Sequence, residues 1–128
     1  MPLTLTLLPD VYAICRLESS AAVPAWALGA TGFVSITRTG DELSIVCAEA
    51  SVPDGVQSAR GWRCLCVAGP LDFALVGVLA SLVAPLAAVG ISIFAISTYD
   101  TDYLLIRQLD IAAALHELHV AGHIVQGL

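Results

Sequence analysis

The chain has 128 residues, enough for one compact unit or two small half-domains sharing a core, and 58% of them are hydrophobic while only 12% are charged, about half the roughly 25% of an average globular chain. Five basic residues against eleven acidic ones leave a net charge of −6, too few cations to match a phosphate backbone, so nucleic acid is excluded as a partner. A surface this poor in charge is partly apolar, and a homo-oligomer is the expected way to cover it.

In chain order, LTLTLL and VYAICRL alternate like strands, and PAWALGA reads as a short helix. The hairpin FVSITRTGDELSIVC follows, then SVPDGVQSARG, a Pro/Gly-containing connection with room for a helical turn. GWRCLCVAG is the next strand. The N-terminus MPLTLTLLPD lacks the basic start and small-residue cleavage site of a signal peptide, which favours the cytoplasm. Cys15, Cys47, Cys64 and Cys66 form no C-x-x-C pair and sit inside apolar runs, as small buried hydrophobes of a reducing compartment do.

From Phe73 to Ile96 no side chain is charged, a length that would cross a bilayer. One period does not fit the whole stretch. Leu75, Val78, Leu79, Leu82 and Leu86 recur at helical spacing and predict a helix over Phe73 to Val89, with Asp72 as its N-cap, Gly90 as its C′ glycine and Pro85 removing one backbone hydrogen bond. After Gly90, ISIFAISTY is β-branched and aromatic, the profile of a strand. No Lys or Arg cluster orients a span at either end, so no membrane is expected.

TDYLLIRQ adds a strand, DIAAALHELHV (Asp110 to Val120) a second helix, and His123 to Gln126 a short last strand. The fold class is α+β: β-α-β-β-α-β, ferredoxin-like, an antiparallel sheet with helices on one face. A shift of 60 positions lays Phe33–Cys47 on Ile93–Arg107 without a gap, pairing Ile36 with Ile96, Thr37 with Ser97 and Glu42 with Asp102. Two related half-domains are therefore expected, 1–60 and 61–128.

FVSITRTGDELSIV, GWRCLCVAGPLDFALVGVLASLVAPLA and GISIFAISTYDTDYLLI together resemble the ACT domain, in the tandem small-molecule-sensing form of the CASTOR arginine sensors and, more distantly, of aspartokinase regulatory domains. The strongest match is ISTYDTDYLLI, an apolar strand ending in Ser-Thr, an acidic turn and a second apolar strand. The resemblance implies a regulatory module that binds a free amino acid between the loop before a domain's first helix and a neighbouring hairpin or strand, does no chemistry, needs no cofactor and acts on a protein partner. It carries most directly onto Thr98, Tyr99 and Asp102. No attached catalytic domain is expected, and a homodimer is expected to supply what longer relatives build from extra domains.

The residues point to the same chemistry. Gly69, Pro70, Leu71, Asp72 and Phe73 would deliver a helix N-terminus whose free N–H groups suit a carboxylate, and glycine lets a ligand approach the backbone. Ser97, Thr98, Tyr99, Asp100 and Asp102 would offer hydroxyls and carboxylates to an ammonium or cationic side chain. A plain N-cap and a solvated turn are the competing structural readings, and a ligand-free assembly module with the same fold is the competing function.

His116, His119 and His123 would share one side of a helix continued through Gly122, but glycine there ends it, so no metal site is expected. The cysteines' apolar settings argue against an activated thiolate, and the acidic residues fall at turns rather than as tuned pairs. No enzyme is predicted.

Overall fold

The computed structural model describes residues 2–72 and 76–127. The chain divides into two compact units, Asp10–Trp62 and a second made of Met1–Pro9 with Arg63–Leu128. The elements are β1 (Thr4–Leu7), β2 (Tyr12–Leu17), α1 (Ala25–Leu28), β3 (Ser35–Arg38), β4 (Leu43–Ala48), β5 (Ser58–Val67), α2 (Val78–Ala88), β6 (Ile93–Ser97), β7 (Asp102–Arg107), α3 (Ile111–Val120) and β8 (Ile124–Gln126). Single 3₁₀ turns at Glu49–Ser51 and Gln108–Asp110 complete the order.

In the C-terminal unit the strands run β8-β1-β5-β7-β6. From β5 onward the order is the predicted β-α-β-β-α-β, with β1 inserted between its first and last strands. β1 is antiparallel to β5 but parallel to β8, Leu5 facing Val125. That parallel pair corrects the all-antiparallel sheet expected from sequence; its partners lie some 120 residues apart, where no turn chemistry announces them. Leu5, Leu7, Leu65, Val67, Leu104 and Ile106 form the sheet's contribution to one core, which Leu82 and Leu86 of α2 and Ala114 and Leu118 of α3 complete. Burying each leucine fully is worth about 1.5–3 kcal/mol.

Both helices of this unit stop the same way. Gly90 (φ +78°) donates its N–H to Ala87 at 3.0 Å and Ile91 to Leu86 at 3.0 Å. Gly122 (φ +95°) donates to His119 at 2.9 Å and His123 to Leu118 at 3.0 Å. These are Schellman stops, in which the left-handed glycine turns the chain and the next side chain enters the core. The apolar stretch is thus divided at Gly90 as predicted, and among the described residues no helix is long and apolar enough to cross a membrane. His123 is carried inward, 3% exposed, rather than lining up with His116 and His119.

The start of α2 differs from expectation. The helix begins at Val78 behind an N-cap of Gly77 (φ +81°), and Asp72 is not its cap. Such a backbone is inexpensive only for glycine and is incompatible with a continuing helix, so the Gly77 that the apolar pattern absorbs as a small residue sets the boundary. Residues 73–75, the first turn of the predicted helix, lie outside the described residues.

The N-terminal unit orders its strands β3-β4-β2 followed by the first half of β5, through Trp62. Ala13, Cys15, Leu43, Ile45 and Cys47 point to one core with Ala27 of α1. The two hairpins do match, but at a shift of 59. Arg38 faces Leu43 and Ser97 faces Asp102 across loops of equal length, and Ile45 and Cys47 correspond to the core residues Leu104 and Ile106. The shift of 60 reads Ile36 onto Ile96, a one-residue slip that exchanges the faces of a strand. β6 is apolar on both faces, so side-chain type alone does not expose the error.

Candidate functional site

The residues between β6 and β7 form a tight corner. Thr98 N–H donates to the Thr101 carbonyl at 2.8 Å, and the Thr98 hydroxyl lies 3.1 Å from the same oxygen. Thr101, 8% exposed, sends its own hydroxyl to the Val67 carbonyl at 2.7 Å, satisfying the acceptor left where β5 ends. The following loop is drawn in by the same corner, as Leu71 N–H donates to the Asp100 carbonyl at 2.7 Å. Gly69 permits this approach: a Cβ there would lie 3.0 Å from the Asp100 oxygen and 3.1 Å from the Thr101 Cβ.

A cavity of about 240 Å³ opens where loop and corner meet, lined by Leu71, Asp72, Val78, Ser97, Thr98, Tyr99, Asp100, Thr101 and Asp102. At about 30 Å³ per water it holds roughly eight waters, below the ~300–1,000 Å³ of drug-sized pockets and fit for a molecule of a few heavy atoms. Among the described residues its walls carry three carboxylates and four hydroxyl side chains and no Lys, Arg or His. The Ser97 hydroxyl donates to Oδ1 of Asp102, fixing that carboxylate. Tyr103, next along β7, has its phenol pushed up to about 12, by burial first and then by a hydrogen bond with Cys66 and nearby charges including Asp100.

Of the residues expected from sequence, Leu71, Asp72, Ser97, Thr98, Tyr99, Asp100 and Asp102 line this one cavity. Gly69 packs behind the wall, against Asp100 and Thr101, and Pro70, joined to it by a cis peptide, does not line it. Phe73 lies outside the described residues. Thr101 and Val78 are additions. Thr101 stands between Asp100 and Asp102, a hydroxyl in an acidic turn, and that turn chemistry is the signal for a pinned corner. Val78, by its spacing an interior position of the predicted helix, stands instead at the start of α2 and so reaches the cavity.

Other chemistry finds no such setting. Among the described residues no three His, Cys, Asp or Glu side chains are grouped to hold a metal. All four cysteines are free thiols. Burial pushes Cys15 up to about 11, with Cys47 adding to it, raises Cys47, and pushes Cys64 up to about 12, with Cys66 adding to it. Such thiols are poor nucleophiles at neutral pH.

A family model described as the ACT domain matches residues 57–120, and a separate model of an N-terminal domain matches residues 10–55. A crystal structure of a protein from Agrobacterium tumefaciens is 43% identical, with a TM-score of 0.94 over 100% of this chain and 95% of that one. The ligand-free regulatory subunit of aspartate kinase from Thermus thermophilus shares the fold, with a TM-score of 0.64 at 12% identity over 91% of this chain and 96% of that one. Cytosolic arginine sensor for mTORC1 subunit 1 of Bos taurus is 29% identical over 97 residues, 67% of this chain and 30% of the sensor, so the chain spans under a third of that relative's length. With half its residues matched by the family model, and the ferredoxin-like unit with its loop-and-hairpin corner in place, the chain belongs to the ACT domain family.

Proposed function

We propose that this protein is a non-catalytic regulatory module that binds a small molecule, an amino acid foremost, in the cavity between Leu71–Asp72 and the Ser97–Asp102 corner. The observation that carries the reading is the wall of that cavity: three carboxylates and four hydroxyls with no cationic side chain among the described residues, around a volume fit for a small amino acid. Asp72, Asp100 and Asp102 suit the ammonium group or a cationic side chain, by charge-assisted hydrogen bonds that are roughly twice as strong as neutral ones. Val78 at the cavity brings the first turn of α2 to the same place, where unpaired N–H groups suit a carboxylate.

On this reading the ligand joins the loop to the corner and biases how a homodimer presents itself to a regulated protein, without a cofactor and within the cytoplasm, where the four thiols persist. A ligand that binds only the folded state raises the melting temperature. In a thermal screen of the twenty amino acids at least one is expected to raise it, and Asp100→Asn and Asp102→Asn are expected to abolish that rise. A flat screen removes the reading.

A further inference from the structure

The two hairpins share one corner and differ in the residue that enters it. Thr39 and Thr98 each donate a backbone N–H across a four-residue loop, to Glu42 and to Thr101, at 2.8 Å in both cases. The residues just before them, Arg38 and Ser97, occupy equivalent ladder positions, on the strand face that carries Val34 and Ile93 to their respective cores. In the C-terminal unit Ser97 is short, and the cavity opens between its hairpin and the loop that leads to α2.

In the N-terminal unit the exposed Arg38 reaches from the hairpin to the loop that leads to α1. Its Nη1 donates to the Ser19 carbonyl and its Nη2 to the Ala21 carbonyl, the latter at 2.8 Å. The third carbonyl of each corner accepts a hydrogen bond, though from different donors: Asp100 takes the main-chain N–H of Leu71 in the loop at 2.7 Å, and Asp41 takes Nη2 of Arg16 on β2 at 2.9 Å. We propose that Arg38 is a tethered occupant, its guanidinium filling the N-terminal counterpart of the cavity, so that the chain offers one open site rather than two and the filled one is built for a guanidinium group. A planar fork of donors suits two carbonyls better than a point charge does.

The test is amide-resolved NMR of the full chain titrated with N-methylguanidinium chloride, with potassium chloride at equal ionic strength as control. Arg38→Ser gives the N-terminal hairpin the residue found at the C-terminal one. In that variant the amides of residues 18–22 and 39–42 are expected to shift saturably in the millimolar range with the organic cation alone, while the same amides of the wild type stay in place. Arg38→Lys, still partly filled by its own ammonium, is expected to respond less. Equal responses in wild type and Arg38→Ser, or none in Arg38→Ser, overturn the proposal. Should Arg38→Ser not fold, Arg38→Gln takes its place and the same comparison decides. These amides belong to the N-terminal unit, so the result stands apart from that of the amino-acid screen.

Discussion

The Ser81 carbonyl lies 3.2 Å from Nε2 of His123, and it is open to that contact because Pro85, four residues further along α2, has no N–H to offer it. The other ring nitrogen, Nδ1, accepts the Leu3 N–H at 3.1 Å. The imidazole is thus the neutral tautomer with the proton on Nε2, and one side chain satisfies a helix carbonyl and a strand amide together. Replacing His123 with Ala leaves both groups unpaired near the core and is expected to cost about 2–4 kcal/mol. Pro85→Ala returns an N–H to Ser81, so in that background the loss should shrink by about 1 kcal/mol. A double-mutant cycle by urea denaturation reads the coupling.

Gly69→Ala presses a methyl against the Asp100 carbonyl and Thr101 Cβ at 3.0 and 3.1 Å. Neither neighbour is the end of a flexible side chain, so the corner itself has to give. A cost of about 1–3 kcal/mol is expected from this overpacking, visible as a lower urea midpoint with unchanged slope. The same variant should weaken any amino-acid response found in the thermal screen, because the displaced corner forms the cavity wall.

Thr101→Val keeps the shape of the side chain and removes the hydroxyl that reaches Val67. The stranded carbonyl should cost about 1–3 kcal/mol, whereas Thr101→Ser, which keeps the hydroxyl, should retain most of the stability. If Thr101→Val keeps the stability and Thr101→Ser loses it in chemical denaturation, methyl packing rather than the hydrogen bond holds the corner.

Burial holds the folded-state thiols of Cys15 and Cys64 at about 11 and about 12, against 9.0 for an ordinary thiol. The folded chain therefore keeps these protons to higher pH than the unfolded chain does. Their contribution to stability is complete below about pH 9 and is lost as the pH climbs from there through the folded-state values. Urea midpoints taken between about pH 8 and about pH 11 should fall, and less steeply in a Cys15→Ala/Cys64→Ala variant. At neutral pH, iodoacetamide should reach the half-exposed Cys66 well before Cys15, Cys47 or Cys64, which are 1%, 0% and 0% exposed.

What could be read from sequence was local. Alternation marked the strands, and glycine followed by an apolar residue marked the end of α2, because such a stop needs only the left-handed residue and its neighbour. The hairpin corner, with Thr98 and two aspartates, declared itself by turn chemistry. Three things did not. Gly77 stood inside an apolar stripe, and nothing in the pattern distinguishes a small helical residue from a left-handed cap. The pairing of Leu5 with Val125 depends on distant strands. The hairpin offset turned on which face of β6 meets the core, and Ile93, Phe94 and Ile96 give either face a plausible claim.

Among the described residues, four of the five arginines donate to uncharged acceptors: Arg16 to Asp41, Arg38 to Ser19 and Ala21, Arg60 to Val52 and Pro53, and Nη2 of Arg63 to Leu8, every one a main-chain oxygen. Dissolved salt takes little from contacts of that kind, since one member bears no charge, yet it quiets the mutual repulsion of an anionic surplus of six. Raising ionic strength should accordingly leave these four arginine contacts in place while easing that repulsion, so urea midpoints are expected to rise with added salt.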